Sequence, residues 1–364
     1  MLRSLLRDRY LIFLFVLALL IRLFSSNETW VEAYYTYGFY PHISKFLRLI
    51  FGWIPFSLGD LLYILAFIFL VWKTWKFLRL LARRKVKEYL SWILFGKYLK
   101  LVLWIYIVFN VFWGLNYNRQ GIAHQLNIEI EPYAAEDVFQ LASVLSAKVN
   151  LYASSVDTAH RKLLDRNNKV LFDLGVQTFE EVKKTFPYLE YRFPSVKPSL
   201  FTPVGHFFGF TGYYNPFSAE AQLKTTVPVF VKPFILCHEI AHQLGYGKEN
   251  EANMVAFLAG RASPDNEFRY SAYYDVFLYT LHELGKLDKQ KFLMIREGMH
   301  PRFNRDYRAY LQYLLKNRNI VEPWISEFYD GYLKMNSQPK GKQTYNEVVA
   351  WLIAYMKKHG AENI

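Results

Sequence analysis

Residues 229–260 read VFVKPFILCHEIAHQLGYGKENEANMVAFLAG. Phe234, Ile235, Leu236, Ile240 and Leu244 recur at helical spacing and predict a buried helix. Inside it, His238-Glu239-Ile240-Ala241-His242 forms an H-E-x-x-H motif. Residues four apart share one helix face, so His238 and His242 aim both imidazoles at one point. Glu239 is turned by about 100° from His238 and flanks that point. Two imidazoles converging on an ion, with a carboxylate alongside, are the arrangement of a zinc site whose Glu acts as general base toward water. Gly245 predicts the end of this helix, and the acid-rich stretch after it predicts the start of another.

A catalytic zinc takes a third protein ligand and leaves one position open. Lys248-Glu249-Asn250-Glu251-Ala252-Asn253 offers two carboxylates. On a helix starting here, Glu249, Ala252, Asn253 and Ala256 share one face, and the two alanines let that face approach the histidine helix closely. Glu249 is therefore the first choice for the metal, with Asn253 hydrogen-bonding a ligand from behind. Glu251 falls on the side of Val255 and Leu258 and is the alternative third ligand.

H-E-x-x-H followed by E-x-x-A-N resembles zincin metallopeptidases of the gluzincin kind, in which a Glu on a following helix completes the site. The E-x-x-A-N pattern is similar to that of membrane-bound prenyl-protein proteases. The resemblance implies His238, His242 and Glu249 as ligands of Zn²⁺ and Glu239 as the base. The link from Gln243 to Lys248 is much tighter than in most gluzincins. HEIAHQLGYGKE also resembles the metzincin pattern H-E-x-x-H-x-x-G-x-x-H, with Gly245 in register and Lys248 in place of the last His. The ligand set is thus His238, His242 and either glutamate. The layout of the whole chain, with apolar helices first and HEIAHQLG…ENEAN late, resembles an uncharacterised membrane-anchored family, domain of unknown function 3810.

The apolar helices show in the composition. Of 364 residues, 52% are hydrophobic and 19% aromatic, above ordinary globular usage, and this predicts a membrane portion. Three apolar runs predict transmembrane helices at about 10–24, 56–75 and 92–115. The first carries Arg22 and lacks a small-residue cleavage site, so it reads as a retained helix rather than a signal peptide. Between the first two, Ser25 to Pro55 is polar and aromatic and reads as an interfacial loop, with Ile43 to Trp53 lying flat as an amphipathic helix. Asp60 falls at a helix start, where a charge at the membrane surface is cheap. The net charge of +13 sits largely in Arg3, Arg7 and Arg9 and in Lys73 to Lys87, between apolar runs. That placement favours membrane topology over nucleic-acid binding, and it puts the N-terminus inside and everything after Asn116 outside. The single cysteine, Cys237, excludes an internal disulfide and reads as a small buried filler.

The expected fold is mainly α: a membrane domain over 1–115, then an extracytoplasmic α+β zincin-like domain over 116–364 with a small sheet beside the H-E-x-x-H helix. Val196 to Thr202, a turn at 207–216 and Ala221 to Val227 supply the strands. By analogy with zincins, Gln222 to Val227 suits an edge strand that binds peptide by strand addition. Tyr213 and Tyr214 are the weak candidates for an oxyanion or substrate contact. Helical periodicity covers 132–151, 154–164, 179–186, 268–284, 289–296, 305–316, 324–334 and 345–359.

The function this predicts is a membrane-anchored, zinc-dependent metallopeptidase of the cytoplasmic membrane, with a peptide or protein as substrate and the lipid bilayer as its other partner. The competing reading is a non-catalytic zinc-binding membrane sensor or interaction module. An intramembrane protease is disfavoured, because Lys232, Pro233 and the polar stretch 245–253 keep the motif out of any apolar span.

Overall fold

The computed structural model describes residues 8–83 and 92–364. Arg3, Arg7, Arg84, Lys85 and Lys87 of the basic segments lie outside the described residues. The described chain is mainly α-helical with a three-stranded sheet.

Helix α1, Arg9–Ser25, has 17 residues, short of the roughly 20 needed to cross a bilayer. It meets the next helical stretch at a bend of 97°, and the two qualify as a span only when taken together. That stretch contains a π-helical segment, Val31–Phe39, and then α2, Tyr40–Phe51. Helix α3, Leu58–Ala82, and helix α4, Trp92–Phe112, are long and apolar enough to cross a membrane, α4 from Leu94 onward. Leu65, Phe67, Ile68 and Leu70 of α3 all stand exposed, as residues against lipid do.

Ser57 caps α3 by accepting from the Asp60 N–H at 3.0 Å. Glu220 reaches the same helix start, accepting from the Leu58 and Gly59 N–H groups at 3.1 and 2.7 Å, where a carboxylate complements the exposed donors and the helix dipole. Asp60 is not at a wet interface. It is fully buried, accepting from the Tyr213 hydroxyl at 2.5 Å and the Leu200 N–H at 2.7 Å. A buried carboxylate needs such donors, and they come from segments some 140 residues downstream, beyond the reach of local pattern.

Beyond α4 come α5, Ala135–Ser155, and α6, Asn168–Val182. Helix α6 begins about ten residues before the predicted start at 179, where Asn167 accepts from the Lys169 and Val170 N–H groups. Strands β1, Val196–Pro198, β2, Gly212–Asn215, and β3, Glu220–Leu223, form a sheet in the order β1-β3-β2. β3 runs parallel to β1 and antiparallel to β2, with Gln222 facing Lys197 on one side and Tyr213 on the other. β3 is therefore the central strand. Gln222 and Leu223 are paired on both sides and residues 224–227 lie beyond the strand, so Gln222 to Val227 is not an edge on which a peptide can add; β2 is an edge strand that packs against the histidine helix.

That helix, α7, spans Lys232–Gln243, and every residue in it except Ile235 is buried. Pro233 occupies its first turn, where a missing N–H costs nothing. Helices α8, Glu249–Ala262, and α9, Asn266–Leu287, pack around it, followed by α10, Pro301–Asn317, α11, Glu322–Met335, and α12, Val348–His359. These bury one continuous apolar core that includes Leu236, Ile240, Val255, Phe257 and Phe277. A second cluster of Val31, Tyr35, Tyr40, Trp113, Leu115 and Tyr117 joins the N-terminal helices to this body.

Candidate metal centre

The tight link between α7 and α8 builds the site. Gly245 closes α7 with φ of +92°, a conformation that strains any L side chain, and a Cβ there would meet Tyr40 Cε1 at 3.0 Å. The chain reverses so that the Tyr246 N–H donates back to the Ala241 carbonyl at 3.2 Å. The Tyr246 carbonyl then lies 2.7 Å from His242 Nδ1. Three residues later α8 starts, with Glu249 as its first helical residue. The small, fully buried Ala252 and Ala256 on this helix leave room for α7 to pack closely against it.

His238, His242 and Glu249 each present a ligand atom within 4.8 Å of the others, and all three are buried. Glu249 Oε2 lies 3.1 Å from His238 Nε2 and 3.6 Å from His242 Nε2. Ligand bonds of about 2.0–2.2 Å at a tetrahedral angle put neighbouring ligand atoms about 3.4 Å apart, close to both distances from Glu249 to the imidazoles. The tautomers fit as well. Asn253 Oδ1 accepts from His238 Nδ1 at 2.8 Å and the Tyr246 carbonyl accepts from His242 Nδ1, which turns both Nε2 lone pairs toward Glu249. Burial raises the Glu249 carboxyl, but the two imidazoles in their protonated form, with Nε2 donating as well, outweigh it and hold the group well below the usual carboxylate range.

Glu239 sits at the edge of this group. It is 5% exposed, and its Oε2 has no hydrogen-bond partner among the described residues. Burial pushes its carboxyl up to about 7, against the pull of His238 and His242. Gly212 of β2 makes room for it, since a Cβ at that position would stand 2.7 Å from Glu239 Oε1. His238, Glu239 and Asn253 open onto a cavity of about 590 Å³, walled further by Phe210, Tyr213, Asp275, Tyr279, Tyr310 and Tyr329.

Other sequence-predicted residues stand elsewhere. Glu251 is buried beside Gly121 and Lys248, 3.7 Å from the Lys248 Nζ, and is not in the metal-competent group. Two residues along a helix is a turn of about 200°, which carries Glu251 away from the face Glu249 shares with Asn253. The Tyr213 hydroxyl is engaged by Asp60 and by Ser199 at 2.7 Å, and the Tyr214 hydroxyl meets that of Tyr40 at 3.2 Å. Cys237 is a buried thiol, raised by burial.

Three residues make contacts that have no signal in the sequence. Tyr329 of α11 donates to Glu249 Oε1 at 2.7 Å, and the Trp113 ring stands edge-on to His242 at 6.0 Å. Gln243, fully buried, donates to the Ser195 and Ala219 carbonyls at 2.8 Å each and so ties the end of α7 to the sheet.

Residues 35–353 match the model of a family described as protein of unknown function (DUF3810). No curated protein and no solved structure matches the chain.

Proposed function

We propose a hydrolytic function for this chain, which belongs to the DUF3810 family. It is a membrane-anchored metallopeptidase in which His238, His242 and Glu249 hold Zn²⁺. The observation that carries the reading is the meeting of two features on one cavity: a three-ligand group of the right spacing, and beside it a buried carboxylate with an unpartnered oxygen.

The ion, when bound, supplies Lewis acidity to a carbonyl and to water. The protein's own residues do the rest. Asn253 and the Tyr246 carbonyl fix the two imidazoles, and Tyr329 holds the far oxygen of Glu249. Glu239 takes a proton from the attacking water and delivers it to the leaving nitrogen, so the C–N bond breaks as the acid forms. The cavity's aromatic lining, with Phe210, Tyr279, Tyr310 and Tyr329, offers surface for the side chains of a short peptide. The domain lies on the outer face of the cytoplasmic membrane, the orientation favoured by the basic segments at Arg3 to Arg9 and Lys73 to Lys87.

The test is Glu239→Gln in the full chain. The variant is expected to keep its zinc and to lose roughly 100-fold or more of the hydrolysis of a mixed peptide pool read by mass spectrometry. Hydrolysis at the wild-type rate in that variant removes Glu239 from the role of base.

A further inference from the structure

A second cavity, of about 170 Å³, lies between α2 and the body of the protein and includes Thr36, Lys45, Arg48 and Tyr188 in its wall. Arg48 is only 3% exposed. Its Nε donates to the Ser44 carbonyl of its own helix at 3.3 Å, and its guanidinium stands over the Tyr191 ring at 5.2 Å. Its Nη1 has no hydrogen-bond partner, and no carboxylate lies within ion-pair distance among the described residues. Burying a guanidinium without a counter-charge is costly, so such a group is found where an anion compensates it.

Arg48 is not alone. Thr36 Oγ1 and Tyr188 Oη are buried hydroxyls on the same cavity, and neither has a hydrogen-bond partner among the described residues. Lys45 brings a second cation. Of the other charges on the wall, Arg119 is occupied by Glu32 at 3.0 Å, and Glu190 by Arg192 at 2.9 Å. What remains is a guanidinium, an ammonium and two hydroxyls around a space sized for one small group with several oxygens. Arginine's fork of donors matches a phosphate better than any single-oxygen ligand.

We infer that this cavity binds a phosphate group, carried by an anionic phospholipid or present as free phosphate. The outer face of α2 favours a position at the lipid boundary. Phe46 and Leu49 are 60% and 57% exposed, and Trp53 just beyond the helix is 79% exposed. The site abuts the metal-bearing helix, since Ser44 and Tyr40 of α2 donate to the Gln243 carbonyl at 3.2 and 3.0 Å, yet it does not depend on hydrolysis being the activity.

The experiment uses the full chain in maltoside detergent and follows thermal unfolding against added phosphatidylglycerol, or against inorganic phosphate with sodium chloride at equal ionic strength as the control. Wild type is expected to be stabilised by one of the two. A response to phosphatidylglycerol alone assigns the lipid source, and a response to inorganic phosphate assigns the free anion. Arg48→Met is expected to weaken that binding roughly tenfold or more, the loss of a charge-assisted hydrogen bond. Lys45→Gln and Tyr188→Phe, both only partly buried, are expected to fold normally and to weaken it severalfold, so they decide the matter should the Arg48 variant not fold. No stabilisation of wild type by either probe, or equal stabilisation of wild type and the folded variants, overturns the inference.

Discussion

Arg119 and Glu32 form a two-pronged ion pair in the interior, with Nη2 to Oε1 at 3.0 Å and Nε to Oε2 at 3.2 Å. The pair spans the molecule's two parts. Glu32 belongs to the π-helical segment after α1, while Arg119 also donates through Nη1 to the Gly245 carbonyl at 3.1 Å, in the turn that joins α7 to α8. Both side chains are buried, at 1% and 5% exposure. Removing one partner strands the other charge, which costs about 3–5 kcal/mol. Arg119→Met should therefore lower the unfolding free energy by about that amount, and adding Glu32→Gln should recover part of it. Urea unfolding of the single and double variants in detergent checks this. Equal stability of all three proteins would mean the pair contributes nothing.

Glu249 and Glu251 are separated by geometry, and metal content should separate them too. Glu249→Ala removes an oxygen 3.1 Å from one imidazole and should release zinc from the purified protein. Glu251→Ala should retain it, because that carboxyl sits against Lys248 and Gly121. Metal analysis after dialysis reads both. Zinc lost from the Glu251 variant and kept by the other would reverse the assignment.

The contrast between these two residues shows what a sequence carries. His238, His242, Glu249 and Asn253 were legible because all four sit on two neighbouring helices, where positions three and four apart must share a face. The apolar lengths of α3 and α4 were legible for the same local reason. Residues placed by tertiary packing left no such trace. Tyr329 reaches Glu249 from 80 residues away, and Asp60 meets Tyr213 across 153. Strand order was equally hidden. Nothing within Glu220 to Leu223 records that a strand lies on each side of it, so its place at the sheet centre came only from the fold.

Asn253 bears on the proposed zinc site through His238. Its Oδ1 holds Nδ1 at 2.8 Å, fixing the ring's tautomer and direction. Such an outer contact is worth about 10–100-fold in metal affinity. Asn253→Ala should lower zinc affinity by that range while Asn253→Asp, which keeps the acceptor, restores most of it. Competition with a chelating dye measures both. An alanine variant with wild-type affinity would show that the ring is held by its packing alone.

Asp275 of α9 has a carboxyl on the large cavity with no hydrogen bond or ion pair among the described residues, and its Oδ2 is wholly buried. Burial pushes its pKa well above the ordinary aspartate value. The folded protein thus prefers the neutral acid more than the unfolded chain does. The stability this group contributes is fully present below the unfolded pKa of about 4 and is lost as pH rises from there through the folded value. Asp275→Asn keeps the shape and does not titrate. The variant should match wild type near pH 4 and become progressively more stable than wild type toward pH 8. Thermal unfolding of both proteins across that range reads the difference. A variant that is no more stable than wild type at pH 8 would mean that the carboxylate is solvated through the cavity or answered there by a cation.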